Sequence, residues 1–157
     1  MTAVQVSERA HLPPEELVQR IEKVGPRVVR ARHRVPGLLR RMPMKEEVRG
    51  VKETWRMSYL LDVILTRDTW MHRVDISTAT GSALVLTPDH DGRLVADVVA
   101  EWARRHGRPF SLNLQGPAGG MFTNGGGEEI TLDAVEFCRI LSGRGDGNGL
   151  LTQAVPF

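Results

Sequence analysis

The sequence is short of the residues that cross-link a chain, stack on bases or span a bilayer. It has one cysteine, Cys138, which excludes an internal disulfide and a metal cluster built from cysteines. Aromatic residues make up 5% of the chain, and none lies among the arginines near the N-terminus to stack on bases. No apolar run approaches the roughly 18 residues of a membrane-spanning helix, and the first residues lack the pattern of a secretory signal. These absences predict a reduced, cytoplasmic protein with no membrane or nucleic-acid partner.

Charge is nearly balanced overall but unevenly distributed. The formal net charge is +2, yet residues 1–41 carry nine Lys and Arg against four acidic residues, and the remainder of the chain is slightly acidic. Clustered arginines can bind phosphate, nucleic acid or an acidic partner. The same pattern also occurs on solvated helix faces, which is the interpretation that the composition favours here.

Two long helices are predicted in the first part of the chain. The first begins at the proline and acids around Pro14, runs toward Arg34 with helical apolar spacing, and is expected to kink at Gly25 and Pro26. Residues 36–54 are predicted to be a polar connection. A more apolar helix is predicted from Trp55 to about Thr80, where Gly81 would end it.

The remainder of the chain has a different pattern. A helix is predicted after Thr87, and the basic residues before Gly107 are typical of its C-terminal end. Two strands are predicted next. Residues 110–114 alternate apolar and polar side chains, and residues 119–122 follow a glycine-containing turn. Thr131 can cap a last helix, in which Cys138 occupies an apolar position.

The order of these elements predicts an α+β protein of two domains. Residues 1–83 form the helical domain with its two long helices, and residues 84–157 form a small α/β domain of helix, antiparallel strands and helix.

Three ionisable residues on the second long helix are the candidate functional site. Asp68, His72 and Asp75 lie within about 60° of one another on a helical wheel. Because apolar residues occur on both flanks, most of this helix is expected to be buried, and its charged residues would then need partners. A carboxylate and an imidazole one turn apart can bind one metal ion. The alternatives are a hydrogen-bonded Asp–His pair or an ion pair between Asp68 and an arginine such as Arg67.

Three segments resemble a known family. They are the run Tyr59–Ile76, which contains the Arg-Asp-Thr-Trp-Met-His-Arg-Val-Asp motif, and the stretches at residues 86–97 and 133–143. All three resemble the DinB-like superfamily, in particular the actinobacterial branch that contains mycothiol-dependent maleylpyruvate isomerase. The resemblance implies a DinB-like four-helix bundle followed by a small sterol-carrier-like domain.

The resemblance also implies a function. Members of the family hold a divalent metal, usually zinc, with a histidine from the second bundle helix and an acid and a histidine from the fourth. The fourth-helix pair matches Asp68 and His72, with Arg73 and Asp75 as neighbours that orient the ligands. The expected cofactors are therefore zinc, or nickel in its place, and the thiol mycothiol. The expected activity is that of a thiol-dependent isomerase or transferase.

Two departures from the family pattern bear on that expectation. The family isomerase has glutamate where this chain has the shorter Asp68. The chain also begins at what resembles the third bundle helix, so the second-helix histidine has no counterpart, and neither His11 nor His33 is well placed to substitute. We therefore expect a homodimer that brings Asp68 and His72 of both copies together. The alternative is a non-catalytic homodimeric binding or scaffold protein without metal.

Overall fold

The computed structural model describes residues 2–48 and 50–157, and the chain divides into two compact units, one ending at Met42 and the other spanning Pro43–Phe157. The first unit is helical. It contains α1 (Thr2–Arg9), α2 (Pro14–Arg34) and α3 (Gly37–Arg40). Among the described helices, none combines the length and apolar character that crossing a membrane requires.

Helix α2 follows its sequence signals closely. Pro14 stands in its first turn with Glu15 and Glu16, whose charges suit a helix N-terminus. The helix continues without interruption through Pro26 and ends at Arg34. No residue of this fully described helix is buried, so its apolar residues face outward.

The second unit begins with a β-hairpin that the sequence pattern did not predict. Strands β1 (Pro43–Val48) and β2 (Val51–Arg56) pair antiparallel, with Met44 opposite Trp55 and Glu46 opposite Glu53. The predicted polar connection over residues 36–54 is therefore wrong. These strands are rich in charge because every second side chain points to solvent, and their burial alternates accordingly.

Two interrupted helices follow the hairpin. Helix α4 (Met57–Tyr59) passes through a π-helical turn (Leu60–Ile64) into α5 (Leu65–Thr80), which stops at Gly81 in the left-handed conformation. The second long helix was thus predicted correctly apart from its first two residues, which belong to β2. A further π-helical turn (Pro88–Gly92) leads into α6 (Arg93–His106).

Helix α6 ends as its sequence predicted. Gly107 adopts φ +64° and its backbone N–H bonds to the carbonyl oxygen of Ala103.

Three strands form a small mixed sheet with β3 (Phe110–Gln115) in the middle. Strand β4 (Gly120–Asn124) is antiparallel to it, as expected, whereas β5 (Glu128–Asp133) is parallel to it on the other side. The expectation of antiparallel strands alone is therefore corrected. Glycines 125–127 carry the chain across the start of β3, and all three have positive φ.

Helix α7 (Ala134–Leu141) closes the core of the second unit. Its N-cap is Asp133, which accepts hydrogen bonds from the backbone of Val135 and Glu136, and not the predicted Thr131, which lies within β5. A short 3-10 turn (Gly149–Thr152) follows. The chain is thus an α+β protein, as predicted.

The predicted domain boundary after residue 83 lies inside the second unit. Trp70, Met71 and Val74 of α5 belong to the same buried cluster as Trp102 of α6 and Phe137 of α7. Because α5 shares its core with the α/β elements, the chain divides after Met42 instead.

Candidate functional site on helix α5

Helix α5 has one buried face and one solvent-facing face, contrary to the expectation that most of it is buried. The buried face carries Arg67, Trp70, Met71 and Val74. The candidate residues lie on the other face, where the side chains of His72, Asp68 and Asp75 are 60%, 43% and 37% exposed. Both flanks of this helix contain apolar residues, so the sequence pattern alone did not reveal which flank packs inward.

His72 lies between the two carboxylates. Its Nε2 is 3.5 Å from Asp68 Oδ1, and its Nδ1 is 3.4 Å from Asp75 Oδ2. The two ring nitrogens thus face different partners, one turn back and one turn forward along the helix. The structure brings all three predicted residues together.

Asp75 is anchored by an arginine from another part of the unit. Arg144, which follows α7, donates from Nε and Nη2 to the Asp75 carboxylate at 2.9 to 3.1 Å. These hydrogen bonds hold the pKa of Asp75 below its ordinary range, and its neighbour His72 adds to the effect. Asp75 is therefore an ionised carboxylate that can orient the imidazole of His72 through Nδ1.

Arg73 does not reach this cluster. Its guanidinium donates to Asp91 Oδ1 and to the carbonyl oxygen of Val85, both at 3.1 Å. Asp91 is buried and also accepts hydrogen bonds from the indole of Trp70 and the backbone N–H of Thr87. Arg73 therefore ties α5 to the segment before α6, and the structure does not place it where it could orient His72.

The donor set at Asp68 and His72 fits part of a metal site. Two ligands of a tetrahedral zinc ion, each about 2.1 Å from it, lie about 3.4 Å apart, which matches the 3.5 Å between Asp68 Oδ1 and His72 Nε2. Asp75 faces the opposite ring nitrogen and cannot join them. Among the described residues no three His, Cys, Asp or Glu side chains converge on one point. The pair could supply two ligands, and a tetrahedral zinc site would need at least one more.

A buried polar network on the other face of α5 was not predicted from the sequence. Arg67 is 2% exposed and does not pair with Asp68. Its guanidinium donates to Asp97 Oδ2 at 2.7 Å, to Glu101 Oε2 at 2.7 Å and to the carbonyl oxygen of Pro156 at 3.1 Å. The signal was present in α6, where Asp97, Glu101 and Arg105 follow one another at intervals of four and share one face.

The network continues to the hairpin. Arg105 donates to Glu101 Oε1. It also forms a bidentate ion pair with Glu53 of β2, in which Nη1 lies 2.7 Å from Oε1 and Nη2 lies 3.0 Å from Oε2. The Tyr59 hydroxyl donates to Glu101 at 2.5 Å. Burial, together with this hydrogen bond, raises the pKa of Tyr59 to about 12, so the phenol stays protonated.

A groove of about 620 Å³ opens beside the Glu53–Arg105 pair. Its walls include His106, whose Nδ1 accepts the backbone N–H of Arg108 at 3.0 Å. Burial lowers the pKa of His106, and the nearby charge of Arg108 lowers it further. The imidazole is thus neutral at physiological pH, with its proton on Nε2, and this buried atom has no partner among the described residues.

Comparison with protein-family models, with curated proteins and with solved structures finds no match to this chain.

Proposed function

We propose that the chain binds a divalent metal ion, zinc or nickel, through Asp68 and His72 and acts as a DinB-like, thiol-dependent isomerase or transferase. The observation that carries the proposal is the 3.5 Å separation of Asp68 Oδ1 and His72 Nε2 on the exposed face of α5. The sequence resemblance to the mycothiol-dependent maleylpyruvate isomerase branch supports the same pair of ligands.

Each neighbouring residue has a defined part in this proposal. Asp68 supplies a carboxylate ligand and His72 its Nε2, while the ionised Asp75 faces Nδ1–H as an acceptor and thereby favours the tautomer that leaves Nε2 free for the metal. Arg144 keeps Asp75 ionised and in place. A metal held there would favour the thiolate form of a coordinating thiol and so make its sulfur a better nucleophile.

The incomplete ligand set is the reason to propose a homodimer. A two-fold axis beside the exposed face of α5 would bring a second Asp68 and His72 to the first pair, making four ligands. A metal would also offset the repulsion between the facing carboxylates. In a catalytic protein the thiol of mycothiol would take one of these positions.

Metal binding by purified protein tests the proposal. We expect zinc by elemental analysis and equilibrium dialysis, lost in Asp68→Ala and in His72→Ala. Asp75→Asn should weaken zinc affinity about tenfold or more without abolishing it. His90→Ala is the matched control, because His90 is an exposed histidine on a different segment. Wild-type protein that takes up no zinc at micromolar concentration would overturn the proposal.

The second candidate is a non-catalytic homodimeric binding or scaffold protein without metal. The exposed valines and isoleucine of α2 favour its role in binding another protein, because proteins that act alone rarely leave a continuous apolar helix face in water. Sedimentation separates the two candidates. A dimer that forms only with zinc supports the metal proposal, whereas a dimer that is unchanged by EDTA and by His72→Ala supports the scaffold.

A further inference from the structure

We infer that the apolar face of α2 binds an acidic amphipathic helix of a partner protein. The face, called here the α2 stripe, consists of residues three and four positions apart along the helix: Leu17, Ile21, Val24, Val28 and Ala31. This alternation of four- and three-residue steps is the heptad pattern, with two apolar positions in every seven residues, by which one helix packs along another. The stripe is open to solvent, since its isoleucine and two valines are 48 to 70% exposed.

Charge next to the stripe selects the partner. One flank carries arginine at the same position of three successive heptads, namely Arg20, Arg27 and Arg34. Charged residues at this position determine which helices pair with each other. Arg20 also pairs with Glu16 on its own helix. The whole helix has six basic and three acidic residues. A partner helix with glutamate or aspartate beside its apolar stripe would complement this flank.

The same charges disfavour a second copy of this helix. In an antiparallel pair the arginine flanks of the two copies would face each other. In a parallel pair Arg27 would face Arg32 of the other copy. Both arrangements place like charges together across the interface, which suppresses self-pairing.

The composition of α2 also favours a helix, rather than a lipid surface, as the binding partner of the α2 stripe. Helices that lie on membranes have aromatic and leucine side chains on their apolar face, whereas α2 has no aromatic residue and its stripe is mostly β-branched or small. Pro26 lies opposite the stripe, where its missing N–H does not affect packing against a partner.

Two designed peptides test the inference on the full chain. Both have about four heptads with isoleucine and leucine in the stripe; one has glutamate at the flanking positions and the other lysine. We expect the acidic peptide to bind at least tenfold more tightly, and salt to weaken its binding. EDTA is present throughout, so the result is independent of metal binding at Asp68 and His72.

Two variants make the test specific. The triple variant Arg20→Glu, Arg27→Glu, Arg34→Glu should reverse the preference and bind the basic peptide, whereas Val24→Asp with Val28→Asp should bind neither. All these sites are exposed, so folding should be retained and is checked by circular dichroism. Equal binding of the two peptides, binding of neither, or self-association in sedimentation through this face would overturn the inference. Binding to phosphatidylglycerol vesicles in preference to the acidic peptide would do the same.

Discussion

Arg67 of α5 and Glu101 of α6 form a buried ion pair, with Nη1 2.7 Å from Oε2 and both residues less than 5% exposed. Removing Arg67 breaks its bonds to Glu101, Asp97 and the carbonyl oxygen of Pro156, and leaves the buried Glu101 carboxylate with only Arg105 and Tyr59 as partners. We expect Arg67→Met to lower the free energy of unfolding by about 3–5 kcal/mol, measured by urea denaturation. Arg104→Met on the exposed face of α6 is the control and should stay within about 0.5 kcal/mol of wild type. Equal stabilities of the two variants would show that the pair contributes nothing.

Tyr59 predicts a spectroscopic signature, because it is the one tyrosine in the sequence. Burial and the hydrogen bond to Glu101 raise its pKa to about 12 in the folded state, while the unfolded chain ionises near pH 10. The contribution of Tyr59 to the free energy of unfolding is therefore fully present below about pH 10 and is lost as the pH rises through the folded pKa. Absorbance at 295 nm should show a midpoint about two pH units higher in folded than in urea-unfolded protein. Coincident midpoints would contradict the assignment.

The buried Asp91 carboxylate predicts that the stability of the protein decreases at acidic pH. Burial alone would raise its pKa, but hydrogen bonds from the Thr87 backbone and the Trp70 indole hold it well below the ordinary range. The unfolded carboxyl titrates near pH 3.9, so this stability is present above that pH and lost as the pH falls toward the folded pKa. Asp91→Asn should cost about 2 kcal/mol at pH 7 and flatten the decline below pH 4.

Asp89→Asn, an exposed neighbour in the same turn, is the control for Asp91 and should retain the wild-type pH profile. An Asp91→Asn profile parallel to wild type would refute the role of this carboxylate.

Gly127 and Gly126 form a matched pair at the crossing between β4 and β5. A Cβ on Gly127 would lie 2.5 Å from the carbonyl oxygen of Pro109, and its φ is +106°. Gly126 has φ +73° with open space around it. Gly127→Ala should therefore cost about 3 kcal/mol or more, and Gly126→Ala only about 1 kcal/mol. Thermal unfolding of the two variants side by side measures the difference, and similar melting temperatures would argue against the close approach.

Elements with their own start and stop signals were predictable from the sequence. Helix α2 has its proline and acids at one end, and α5 and α6 end at Gly81 and Gly107, which adopt the left-handed conformation that glycine favours. The hairpin at residues 43–56 has weaker signals, because its strands are charged and half-exposed, so the sequence pattern predicts a polar connection there instead.

The candidate site was predictable only as a set of residues on one helix. Helical spacing placed Asp68, His72 and Asp75 together, and the structure brings them within ion-pair distance. Spacing did not predict Arg144, because it is 69 residues away from the Asp75 that it anchors. Arg73, predicted to orient the ligands, instead forms an ion pair with Asp91, which lies 18 residues further along the chain.

Local signals alone specified where most helices lie, because capping, proline placement and left-handed glycine act within a few residues. Only tertiary packing selected which flank of α5 is buried, paired β5 parallel to β3 and placed Arg67 between Asp97 and Glu101. The physical reason is that a helix with apolar residues on both flanks has two nearly equivalent ways to pack. The surface that packs against the helix selects one of them, and in this chain that surface is provided by residues about 20 or more positions away.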